Sequence, residues 1–108
     1  METVDSWKAK GNEFMKSRQY DKAAECYSNG LKLDENNHIL YSNRSAAYLA
    51  AGKVDEALDD GIKCIALNPT WAKGYCRKGA AEQARMELEE AANTYKEGTR
   101  VGRLTGNN

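Results

Sequence analysis

Proline is almost absent, one residue in 108, and no apolar run is longer than the six residues 46–51. A membrane-crossing helix needs about 20 apolar residues, so none is expected. Strand-type runs of β-branched and aromatic residues are also missing, which argues against a sheet. Net charge is lacking too. The 16 basic and 16 acidic side chains cancel, and no third of the chain departs from neutrality by more than about two charges, which leaves no electrostatic reason to seek nucleic acid or a membrane surface. Three cysteines, Cys26, Cys64 and Cys76, form an odd set without pairing or zinc-ligand spacing. A reducing, cytoplasmic setting without a bound metal is the expectation. The start, with Glu2 and Asp5 close behind Met1, does not read as a signal peptide.

What is present is helix-forming. Ala, Glu, Lys and Leu are plentiful, and the chain is 41% hydrophobic, enough for one modest core. Turn signals fall at Ser17-Arg18, Asp34 to Asn37, Gly52-Lys53 and Asn68-Pro69-Thr70. Between them lie segments of about 14 residues, four helical turns each, so a string of antiparallel helix pairs is expected. A 34-residue step gives 4–37, 38–71 and 72–105. Trp7, Tyr41 and Tyr75 then share a row, as do Gly11, Ser45 and Gly79, and Ala23, Ala57 and Ala91. Phe14 and Tyr48 share another, which Glu82 breaks; Leu33, Leu67 and Val101 also coincide. Small residues let paired helices approach, and aromatics fill the space beside them. One pair cannot bury its apolar face alone, so the fold class expected is all-α, a single domain of three stacked pairs.

Trp7-x-x-Lys10-Gly11-x-x-Phe14 followed by Ala23-x-x-x-Tyr27, repeated in phase, resembles the tetratricopeptide (TPR) repeat. Lys10, Arg44 and Lys78 stand where that family usually has Leu; their stems are expected to lie along the core edge with the charges in water. The resemblance implies a solenoid whose first helices, about 4–17, 38–51 and 72–85, line a concave groove, with second helices at about 20–33, 54–67 and 88–101. Helical spacing then puts Lys8 and Asn12 on the groove face of the first pair, Asn43 on the second, and Lys73 and Arg77 on the third. Three cations and two amides suit an anion. A peptide's C-terminal Asp offers two carboxylates, Lys and Arg give charge-assisted hydrogen bonds, and Asn can both donate and accept.

These five positions resemble the carboxylate clamp of TPR co-chaperones, most closely the N-terminal domain of the Hsp-organising kind. That implies binding to the Glu-Glu-Val-Asp tail of 70-kDa or 90-kDa heat-shock chaperones. Ser42, Ala46, Leu49, Ala50 and Cys76 are further groove candidates. Ala46, Leu49 and Ala50 form a small apolar surface for an upstream Ile or Met, worth about 1–2 kcal/mol. Ala50 and Ala84 stand where the resemblance would put a basic and an aromatic residue, so the partner preferred is not written there. Cys76, beside Arg77, is either a small inert residue or an oxidation-sensitive thiol. The alternative function is a scaffold TPR that binds an internal peptide or a partner helix.

Catalysis is not expected. Cys26 and His38 lack an orienting third group and an oxyanion loop. Reading of single-stranded RNA is disfavoured by neutrality and by a groove without aromatics. The acidic runs Asp55-Glu56, Asp59-Asp60 and Glu87 to Glu90 are expected to complement helix dipoles. The stretch from Thr99, with Gly102 and Gly106, reads against helix, and no capping helix follows it, as expected of a domain within a longer protein. The third repeat is the doubtful one. Arg85-Met86-Glu87 has no turn former, and Glu82 would sit poorly solvated in a closed pair. An ordinary hairpin and a monomer are favoured there, over a single long helix pairing with a second chain.

Overall fold

A computed structural model describes residues 2–106. Six helices follow in order: α1 (Val4–Lys16), α2 (Tyr20–Leu33), α3 (His38–Ala50), α4 (Val54–Leu67), α5 (Ala72–Ala84) and α6 (Leu88–Thr105). No strand occurs among the described residues. The starts of α1, α3 and α5 lie 34 residues apart, as do those of α2, α4 and α6. Each helix packs on its sequence neighbours, and α3 also rests on α5. That second contact, first helix on first helix, puts α3 and α5 on the inner side of the stack, where the repeat sets α1 as well.

Local chemistry fixes the ends. Thr3 and Ser6 form a reciprocal capping box at α1, and the Asn37 side chain accepts from the Leu40 amide at α3. The three turns within pairs share one construction. Arg18, Gly52 and Met86 all take positive φ, at 61°, 82° and 64°. The amides of Gln19, Lys53 and Glu87 donate to the carbonyls of Phe14, Tyr48 and Glu82 at 2.8–2.9 Å, and the left-handed residue donates to Met15, Leu49 or Gln83. This is a Schellman turn three times over.

The third pair is therefore a hairpin, as favoured from the sequence, and the alternative of one long helix through residues 80–92 is not taken. Met86 adopts a conformation that costs about 1–2 kcal/mol for a residue with a Cβ. Closure offsets that cost: Ala81 and Ala91 are buried, and Gly79 faces the Tyr95 ring so closely that a Cβ would stand 2.6 Å from it. Glu82 is buried as feared but not stranded. It accepts from the Thr94 hydroxyl at 2.6 Å and lies 3.5 Å from the Lys78 ammonium. The end of the chain also differs from expectation. α6 continues to Thr105 because Val101 and Gly102 are buried, and Gly106 closes it at φ 75°. Asn107 and Asn108 lie outside the described residues.

The small rows of the repeat do meet the core. Ala23, Ala57 and Ala91 are buried, and Gly11 and Gly79 admit the rings of Tyr27 and Tyr95. In the second pair Ser45 donates to the Ala57 carbonyl at 2.8 Å instead. Leu33 is exposed, although its row ends in the buried Val101.

The expectation for Lys10, Arg44 and Lys78 holds only in part. Arg44 turns its charge inward and keeps only a fifth of its side chain exposed. It makes two 2.8 Å bonds to the buried Asp60, donates to Ser28 at 3.0 Å, and lies between the rings of Tyr41 and Tyr48. Asp60 is thus an ion-pair partner and not a dipole complement, unlike Asp55 and Glu56 in the first turn of α4. Lys78 turns to Thr94 and Glu82. Lys10 alone stays exposed, over the Trp7 ring at 4.7 Å.

Candidate peptide-binding groove

Inner helices carry all five clamp candidates. Lys8 and Asn12 stand one turn apart on α1, Asn43 lies midway along α3, and Lys73 and Arg77 stand one turn apart on α5. Asn12 and Lys73 are exposed, while Lys8, Asn43 and Arg77 are half-buried. Four of the five have contacts that hold or approach them. The Lys8 ammonium is 3.8 Å from Asp5, an exposed contact that a ligand anion can displace. Lys73 lies 5.8 Å from the Trp71 ring centre. Asn12 accepts from the Tyr27 hydroxyl at 2.5 Å, and Arg77 Nε donates to Ser42 Oγ at 3.1 Å.

Arg77 is also felt across the stack. Burial pushes the Tyr27 phenol up to about 12 and the Cys64 thiol up to about 11, and at both the positive charge of Arg77 pulls the other way. Through its side chain α5 therefore touches α3 directly and bears on groups of α2 and α4.

The remaining groove candidates divide. Ala50 and Cys76 are exposed, and Ala46 and Leu49 are half-buried, so these four keep surface open to solvent. Ser42 is fully buried and does not line the groove; its hydroxyl is spent on Arg77. Tyr27 was legible only as a core aromatic; its hydroxyl bond to Asn12 joins two helices. Cys26 is buried in α2, and His38 packs edge-on against Trp71 with its ring 3.2 Å from the Asn68 amide nitrogen, so both have structural surroundings.

A concavity of about 730 Å³ lies elsewhere. Trp7, Phe14, Lys22 and Cys26 are among its walls, on the outer side of the first pair, and none of the clamp candidates lines it. An extended peptide across an open groove needs no enclosed cavity, so the chemistry of the inner helices is the better guide to the site.

Comparison with known proteins agrees with this architecture. The Tetratricopeptide repeat family profile matches residues 4–37. Heat shock protein STI1 of Saccharomyces cerevisiae is 43% identical over 95 residues, 87% of this chain and 16% of that protein. The chain thus spans about a sixth of the length of that relative. A structure of the first TPR of Spaghetti (RPAP3) bound to HSP90 peptide SRMEEVD is 38% identical, with a TM-score of 0.87 over 98% of this chain and 82% of that one. The second TPR domain of human RPAP3, in complex with HSP70 peptide SGPTIEEVD, is 34% identical, with a TM-score of 0.84 over 97% and 85%.

Proposed function

The chain belongs to the tetratricopeptide-repeat family, and from that premise we propose that it is a co-chaperone module holding the C-terminal tail of a 70-kDa or 90-kDa heat-shock chaperone in the cytoplasm. The observation that carries this reading is the set on the inner helices: Lys8, Asn12, Asn43, Lys73 and Arg77, three cations and two amides on one side of the stack. Two related domains holding peptides that end in Glu-Glu-Val-Asp support it. In this reading repeats 4–37, 38–71 and 72–105 work as one domain, because the clamp is complete only when all three contribute.

The chemistry follows from the groups. The last residue of the tail brings a main-chain and a side-chain carboxylate. Lys8, Lys73 and Arg77 supply charge, and the Asn12 and Asn43 amides supply directed hydrogen bonds. Like charges gathered in the empty groove are relieved by the incoming anion. Ala46, Leu49 and Ala50 receive an upstream apolar side chain. Binding of this kind needs no nucleophile and no cofactor.

Calorimetric titration with the peptide SRMEEVD, free and C-terminally amidated, tests the reading. The free peptide is expected to bind at least tenfold more tightly. Lys73→Ala or Arg77→Ala is expected to cost about 2–4 kcal/mol while leaving the fold intact. Equal binding of both peptides, or full affinity in either variant, would replace the clamp with a scaffold groove for internal segments.

A further inference from the structure

Two buried hydroxyls lie beneath the groove. Tyr27 is 1% exposed, and its ring is seated on Gly11, where a Cβ would stand 2.4 Å away. The seat leaves the phenol little freedom, and its hydroxyl crosses from α2 to α1 to donate to Asn12 Oδ1 at 2.5 Å. Ser42, on α3, is fully buried, and its Oγ accepts from Arg77 Nε at 3.1 Å. Both hydroxyls end on clamp candidates.

Each bond decides which atoms the clamp residue has left. An amide has one oxygen and one NH2 group. With Oδ1 engaged by Tyr27, Asn12 turns its NH2 to the groove. Rotated by half a turn it would offer an oxygen to a carboxylate and repel it. A guanidinium has five N–H groups. With Nε engaged by Ser42, the two terminal nitrogens of Arg77 remain for a ligand and can grip a carboxylate in two places. We infer that Tyr27 and Ser42 are positioning residues that aim the Asn12 amide and the Arg77 guanidinium at a carboxylate before the ligand arrives. The inference rests on the tail-binding reading above, and it gives the site a rigid donor set whose ordering cost is met on folding.

The surroundings agree. Burial pushes the Tyr27 phenol up to about 12, so it remains a donor at neutral pH. Its bond to Asn12 Oδ1 is the one that fixes where the proton points.

A double-mutant cycle read by peptide binding tests the inference, with circular-dichroism melting as the fold control. Tyr27→Phe keeps the ring and Ser42→Ala keeps the backbone, so both are expected to melt near the parent. Each is expected to weaken binding of free SRMEEVD about tenfold. In the Asn12→Ala background, Tyr27→Phe is expected to change affinity less than about twofold, and Ser42→Ala likewise in the Arg77→Ala background. A purely structural role would give the same loss in both backgrounds, and that result overturns the inference. So does parent-like binding by Tyr27→Phe and Ser42→Ala when the parent still prefers the free peptide over the amidated one. A parent that does not distinguish the two peptides overturns the tail-binding reading itself.

Discussion

Arg44 joins three helices through one side chain, bonding Asp60 of α4 and Ser28 of α2 from its own place on α3. The hydrogen bonds to Asp60 hold its guanidinium proton more tightly than usual, while burial pushes the Asp60 carboxyl up. Removing one partner strands a charge in a poorly solvated site, whereas removing both leaves a gap that apolar groups can fill. Asp60→Ala is therefore expected to cost about 3–5 kcal/mol in urea denaturation, and the double variant Arg44→Met with Asp60→Leu to regain most of it. A cost below about 1 kcal/mol for Asp60→Ala would mean that water solvates the Arg44 charge well enough without its partner. Spacing alone suggested the solvent-facing outcome, since Lys10 and Lys78 share the row. The difference lies in what stands 16 residues on: Cys26, Asp60 and Thr94. Only a packed pair brings that position to Arg44.

At the scale of the element, the repeated Schellman turn separates what could be read from what could not. Gly52 announced its turn, because glycine takes positive φ without strain. Arg18 and Met86 take the same conformation with a Cβ in place; Ser17-Arg18 still read as a turn, but nothing local marked the one at Met86. Met86→Gly is expected to stabilise the fold by about 1 kcal/mol, since Met86 is 74% exposed and has little packing to lose. Gly52→Ala is expected to cost about as much. Thermal melts of the two variants check both signs, and opposite shifts of a few degrees are the expected result. The helix starts were legible because a 34-residue period fixes phase without any knowledge of packing, and the same period sets the five proposed clamp residues on α1, α3 and α5. The tasks of Ser42, Tyr27 and Glu82 were not, because each is set by a residue on another helix: Arg77, Asn12 and Thr94.

Across the whole molecule nearly all packing is between consecutive helices, with α3 on α5 the one further packed pair named above. An open groove along such a stack leaves its charges in contact with salt. Affinity for SRMEEVD is expected to fall severalfold between about 0.05 and 0.5 M salt, with a residue of binding kept by the apolar surface at Leu49. A flat salt profile would favour an apolar groove over a clamp. The same serial packing has a mechanical side. Among the described residues α1 and α5 share no packed interface, so the packing that links the first and third pairs runs by way of the second. A tail gripped by Lys8 and Asn12 at one end and by Lys73 and Arg77 at the other would be a tie-rod between them. The ligand would turn a line of neighbours into a closed truss, in which loosening either end also requires letting go of the peptide.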